Sequence, residues 1–201
     1  LERAEGVLLR HLHQVYKTFT QTVPEAVKDD AVLDIIGYLR ATIQRADNSL
    51  LAAWKSLSGE APPAPVELPE IKRSLANDPK RLRARVRAEV HAFVQALSRG
   101  TYAEALISLR TPEDAEDAWT EERLEAALAP FLVEYERLVF DHGARNASLT
   151  RLVDEGAGKW RVVQVLCDPE GDNLWFVEGH IALGSEPDPH GPLVALERIS
   201  S

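Results

Sequence analysis

The chain has 201 residues, of which 45% are hydrophobic and 27% charged, so it can bury a substantial core. Its net charge of −9 excludes a protein whose whole surface binds polyanions, although a local basic patch is compatible with it. The single cysteine, Cys167, excludes an internal disulfide framework and fits a reducing, cytoplasmic compartment. No apolar run reaches the ~18 residues that span a bilayer, so no membrane partner is expected.

Residues 1–58 carry apolar side chains at helical spacing, which predicts a helical hairpin or a small bundle. Pro24 predicts a break, after which Glu25 suits the start of a new helix. Two such helices cannot bury both of their faces alone and must pack on further elements. The apolar stripes are Leu8, Leu12, Val15 and Phe19 in the first helix and Val32, Ile35, Ile36, Leu39 and Ile43 in the second.

A linker is predicted over residues 59–70. This stretch contains four prolines and shows no helical period. Proline removes a backbone donor and pushes the preceding residue toward extended geometry. We therefore expect a helical segment at 1–58 and a second domain at 71–201.

The second domain begins with helical patterns. Asn77 or Asp78, followed by Pro79, predicts the cap and first turn of a helix that Gly100 ends. A short helix follows, and a third begins at Thr120 and is bent or divided by Pro130.

Strand patterns follow the helices, which predicts an α+β fold in which three helices pack on a curved antiparallel sheet. The most distinctive pair of strands flanks the turn-forming segment DPEGDN at 168–173. The candidate strands are Arg137–Phe140, Ser148–Val153, Lys159–Cys167, Leu174–Leu183 and Leu193–Ile199.

The hairpin permits a finer prediction, because its register decides which side chains face the core. If Cys167 lies opposite Leu174, Val163 pairs with Glu178, and Glu178 and His180 point away from the core. The opposite, more apolar face then packs inward, and a buried amide at Gln164 would need hydrogen-bond partners. We expect a cavity bounded by Trp160, Gln164 and Trp175.

No catalytic or metal site is predicted. The six histidines and Cys167 lack ligand spacing, and no nucleophile elbow or P-loop motif occurs. Asp168, Glu170 and Asp172 are better explained by a turn than by a cation loop, because the calcium-loop pattern is missing.

Seven cations between Lys72 and Arg87 form the one candidate nucleic-acid surface. The alternative is a solvated helix face that pairs with the acidic segments 113–117 or 121–122. The candidate contacts are Lys80, Arg81, Arg83, Arg85 and Arg87.

Three segments resemble the C-terminal region of bacterial DEAD/DEAH-box helicases, superkiller-like superfamily 2 enzymes that end in a domain of unknown function. They are YKTFTQTVPEAV, RADNSLLAAWKSL and KWRVVQVLCDPEGDNLWFVEGHIAL. Independently, three helices followed by an antiparallel meander resemble the nuclear transport factor 2-like cone.

The resemblance implies a non-catalytic accessory region of an ATP-dependent helicase, used to position RNA or DNA or to contact proteins. The chain starts at Leu1 and contains no methionine, so we expect it to be a fragment of a longer polypeptide. The resemblance implies that a helicase core, with its ATP and Mg, lies upstream. One alternative is a small-molecule-binding or enzymatic cone that uses the cavity near Gln164. Another is a homodimer formed through the sheet face that carries Val163, Val165 and Phe176.

Overall fold

The computed structural model describes residues 2–24, 27–29, 31–43, 46, 78–111, 118–183 and 191–201. The chain divides into two compact units, Leu1–Arg85 and Val86–Ser201. The predicted linker at 59–70 and the cations Lys72 and Arg73 lie outside the described residues.

Helices form the described part of the first unit. Helix α1 covers Glu2–Gln21, and helix α2 covers residues 31–43. A carboxylate oxygen of Asp29 accepts a hydrogen bond from the Val32 amide at 2.9 Å, so α2 begins later than the sequence predicts. The buried core residues are Tyr16, Ile36, Leu39 and Ile43, and the partly buried residues packed against them are Leu9, Leu12, Val15, Phe19 and Val32.

Helix α3 covers Pro79–Ser98 and crosses the boundary between the two units. The Asp78 carboxylate accepts from the Arg81 amide at 3.2 Å, which caps the first turn as the sequence predicts. Gly100 follows the helix with a φ of 69°, a conformation that glycine adopts without steric cost.

Two further helices complete the helical part of the second unit. Helix α4 covers Tyr102–Ile107, and helix α5 covers Glu121–Tyr135. The Thr120 hydroxyl accepts from the Arg123 amide at 3.2 Å and caps α5. Pro130 lies inside α5 and does not divide it.

The sheet has four antiparallel strands in the order β1-β2-β3-β4. They are β1 at Thr150–Gly156, β2 at Lys159–Val165, β3 at Phe176–Ala182 and β4 at Ala195–Ser200. The α+β prediction is therefore confirmed.

The predicted strand at Arg137–Phe140 is wrong. Val139 makes only an isolated bridge, in which its amide donates to the Cys167 carbonyl at 2.9 Å. Ser148 likewise lies in a 3₁₀ turn, Ala147–Leu149, and not in a strand. A short apolar run predicts burial, but it does not determine how many neighbours pair with it.

The predicted register of the hairpin is confirmed, because Val163 pairs with Glu178 and Val165 with Phe176. Trp160, on the predicted inner face, is only half-buried and pairs with Ile181. The buried residues of the inner face are Val162, Gln164, Leu166, Trp175, Val177, Gly179 and Ile181.

Candidate functional site

Gln164 is buried with 1% exposure, and both ends of its amide have partners. The Thr150 hydroxyl donates to Gln164 Oε1 at 2.6 Å, and Gln164 Nε2 donates to the Val165 carbonyl at 2.9 Å. Thr150 and Gln164 are also paired across β1 and β2. A buried amide is costly unless it is hydrogen-bonded, so these contacts explain how the core tolerates Gln164.

Trp175 contacts α5 through both its ring and its nitrogen. Its indole Nε1 donates to Glu134 Oε2 at 2.9 Å. Its ring meets the ring of Phe131 edge to face, with 5.9 Å between centroids. The titratable partner of the predicted pocket residues is therefore Glu134, which the sequence analysis missed. Helical periodicity places Glu134 near the end of α5, but it does not indicate that Glu134 contacts the hairpin.

The Asp168 side chain closes the turn between β2 and β3. One carboxylate oxygen accepts from the amides of Glu170, Gly171 and Asp172 at 2.9, 2.6 and 3.1 Å, and the other accepts from Asn173 at 2.6 Å. Burial alone would raise the pKa of Asp168, but the four amides outweigh it and hold the pKa below its ordinary value. The carboxylate is thus used to hold the turn, as the sequence predicts.

Tyr135 lies close to the same acidic segment. Burial, a hydrogen bond with Glu134 and the charges of Glu134, Asp172 and Asp168 raise the pKa of Tyr135 to about 12. Burial and the charges of Asp141 and Asp168 raise the pKa of the Cys167 thiol. A thiol with a raised pKa is a poor nucleophile at neutral pH, so this cluster favours a structural role.

The described residues contain neither a metal-binding cluster nor a membrane-spanning helix. Within those ranges, no group of three or more histidine, cysteine, aspartate or glutamate side chains could hold a metal ion. No helix there is long and apolar enough to cross a membrane.

The predicted nucleic-acid contacts on α3 lie in different environments. Lys80 and Arg83 are exposed, whereas Arg87 is half-buried. Arg81 forms an ion pair of 3.0 Å with Asp78, and Arg85 is buried with 7% exposure. The five cations therefore do not form one solvent-facing stripe, and only Lys80 and Arg83 are open to a ligand without rearrangement.

Arg81 and Arg85 also influence a core residue of the first unit. Burial raises the pKa of the Tyr16 phenol, and the charges of Arg40, Arg81 and Arg85 oppose this effect. Cations lower a phenol pKa only from nearby, so these arginines lie on the Tyr16 side of α3. Helical spacing could pair Arg81 with Arg85 on one side, but it could not reveal that this side faces inward.

The sheet face opposite the buried one, here called the outward face, holds a second group of cations. Glu178 is 5% exposed and receives two arginines: Arg198 Nη2 lies 2.6 Å from Glu178 Oε2, and Arg161 Nη1 lies 3.6 Å from Glu178 Oε1. The guanidinium carbon of Arg198 lies 5.5 Å from the centroid of the Phe176 ring. The outward face comprises Arg151, Val153, Glu155, Lys159, Arg161, Val163, Val165, Phe176, Glu178, His180, Arg198 and Ser200, and Glu155 forms an ion pair of 3.3 Å with Arg161.

Comparison with known proteins assigns the chain to a family and not to an activity. No curated protein and no solved structure matches it. Residues 1–197 match one family over nearly the whole chain. The chain belongs to the family described as Domain of unknown function (DUF3516).

Proposed function

We propose that this chain is a non-catalytic, cytoplasmic accessory region of an ATP-dependent bacterial helicase, used to hold nucleic acid near the helicase core or to contact partner proteins. The observation that carries the proposal is the structural use of the hairpin signature. The polar side-chain atoms of Gln164, Asp168 and Trp175 all form hydrogen bonds within the chain. The three segments that resemble the C-terminal region of superkiller-like helicases supply the functional context.

The nucleic-acid part of the proposal now depends on two residues of α3. Lys80 and Arg83 are exposed, and both precede the boundary between the two units. Each phosphate contact makes the affinity depend on salt: for single strands, the logarithm of the binding constant falls with the logarithm of the salt concentration with a slope of about −0.7 per contact. At about 0.1 M salt this corresponds to roughly fivefold in affinity per contact.

The test uses the full-length polypeptide that contains this chain. We expect the variant carrying Lys80→Gln and Arg83→Gln to keep its basal ATPase rate, because neither residue belongs to the proposed upstream core. The RNA or DNA concentration that half-maximally stimulates ATP hydrolysis should rise several-fold, and the salt dependence of stimulation should weaken.

The matched control is Arg99→Gln, which neutralises an exposed cation just after the same helix. It should leave the stimulation unchanged. A full-length protein without nucleic-acid-stimulated ATPase activity would overturn the helicase context. Equal effects of the control and the double substitution would overturn the role of Lys80 and Arg83, and a protein-contact role would remain.

A further inference from the structure

The outward face of the sheet is cationic in an otherwise acidic chain. Four cations (Arg151, Lys159, Arg161 and Arg198) lie on it, and two carboxylates, Glu155 and Glu178, accompany them. The net charge of the chain is −9. On an acidic protein, a single cationic face attracts a polyanion to that face, whereas the rest of the surface repels it.

The arginines on this face are positioned by the fold. Arg198 directs Nε and Nη2 at Glu178 Oε2, at 2.7 and 2.6 Å, and Arg161 shares the same carboxylate. Arg161 also pairs with Glu155 at 3.3 Å, so two carboxylates balance these two guanidinium groups, and the net positive charge of the face comes from Arg151 and Lys159. The side chains of Arg161 and Arg198 remain 48% and 58% exposed, which leaves N–H donors open to solvent.

Arg151 is less constrained than Arg161 and Arg198. It lies on β1 opposite Val163, in the cross-strand row that continues through Glu178 to Arg198. It is exposed, and within the described ranges its guanidinium has no hydrogen bond or ion pair. Its charge is therefore open to a phosphate without loss of an internal contact.

An aromatic and apolar surface lies beside the charges. Arg198 covers the half-buried ring of Phe176, and the partly exposed valines 163 and 165 lie on the neighbouring strand. Unstacked bases bind by stacking on aromatic rings or on arginine planes, while phosphates bind arginine N–H donors. An acidic peptide would use the charges but not the aromatic and apolar surface. Four strands span about 14 Å, which is wide enough for a few nucleotides of a single strand and wider than the major groove of a duplex, which is about 12 Å across.

We infer that the outward face of the sheet binds single-stranded nucleic acid, with phosphates on Arg151 and Arg161 and a base stacked beside Arg198 and Phe176. This inference rests on the nucleic-acid part of the proposed function and adds a second, separate contact surface to it. Glu178 then serves as a positioning residue that fixes the two guanidinium planes.

The test measures fluorescence anisotropy of a labelled oligouridylate of about 16 nucleotides as a function of salt. The variant carrying Arg151→Gln and Arg161→Gln keeps the Arg198–Glu178 pair, so its fold should be intact by circular dichroism. We expect its affinity to fall about 25-fold at about 0.1 M salt, with a salt slope smaller by about 1.4. Phe176→Ala should weaken binding at every salt concentration without changing the slope.

A charge-matched control separates this face from general electrostatics. Arg137→Gln with Arg145→Gln removes two exposed cations between α5 and β1 and should leave the affinity almost unchanged. Equal losses in both double variants, or no loss in the sheet variant, would overturn the inference. Tighter competition by polyglutamate than by unlabelled oligouridylate would also overturn it, in favour of an acidic protein partner.

The α3 variant distinguishes the two proposals. If Lys80→Gln with Arg83→Gln abolishes binding while the sheet variant binds normally, the outward face is not a binding surface and the proposed function stands. If the wild-type chain binds no oligonucleotide at all, the nucleic-acid part of both proposals fails together.

Discussion

Trp175 Nε1 donates a hydrogen bond to Glu134 Oε2 at 2.9 Å and thereby joins the hairpin to the last turn of α5. The edge-to-face contact of the same indole with Phe131 adds an apolar part to this junction. Residues 41 positions apart are thus linked by a single side chain. The junction connects the helical layer with the sheet, so its loss should be felt by the whole second unit.

Two replacements of Trp175 should separate the contribution of its hydrogen bond from that of its ring contact. Trp175→Phe keeps a ring but removes the donor, and we expect a loss of about 1 kcal/mol in the free energy of unfolding. Trp175→Ala removes the ring as well and should cost about 3–5 kcal/mol. Urea unfolding followed by circular dichroism measures both values. Leu174→Ala, at an exposed neighbouring position, should stay within about 0.5 kcal/mol of wild type.

The carboxylate of Asp168 should make stability depend on pH in the acidic range. Its pKa is lowered in the folded protein, so its contribution is present above the unfolded pKa of about 3.9. That contribution is lost as the pH falls from there through the folded pKa. Asp168→Asn places an N–H donor against backbone donors and should cost about 1–3 kcal/mol at neutral pH.

The stability difference between wild type and Asp168→Asn should shrink as the pH falls below about 4, because the unfolded carboxylate then binds a proton while the folded one still resists protonation. Thermal unfolding at a series of pH values measures this difference. Asp172→Asn is the control, since that exposed side chain accepts none of the turn amides. A difference that is independent of pH would contradict the role assigned to the Asp168 charge.

Tyr135 should titrate late. Its pKa of about 12, raised by burial and then by Glu134, predicts that its phenolate forms only at the alkaline end of an ultraviolet titration. Because the folded pKa is raised, the associated stability is present below pH ~10 and is lost as the pH rises toward the folded pKa. Tyr135→Phe should remove the latest phase, and Glu134→Gln should move that phase to lower pH. An unchanged titration in Tyr135→Phe would assign the late phase to another tyrosine.

Local pattern was sufficient to predict the fold class, the hairpin register and the Asp168 turn, because alternation and turn chemistry are encoded by neighbouring residues. It was insufficient for Glu178. The sequence placed Glu178 correctly on the outward face, but its burial depends on Arg198, which lies 20 residues away on β4. The inward orientation of Arg85 was missed for the same reason, since helical spacing groups residues by side without saying which side is covered.

The shared carboxylate of Glu178 yields the last prediction. Arg198 lies 2.6 Å from this carboxylate and Arg161 lies 3.6 Å from it. Arg198 should therefore offset most of the desolvation cost of burying Glu178. Arg198→Met should destabilise the second unit by about 1–3 kcal/mol, because a buried carboxylate loses its main partner. Arg161→Met should cost less than about 1 kcal/mol, in the range of exposed pairs. In the double variant with Glu178→Met, Arg198→Met should cost little, since no carboxylate is left unpaired. Urea unfolding of this double-mutant cycle measures the coupling, and additive costs of the two substitutions would show that Arg198 acts by covering Phe176 and not by pairing with Glu178.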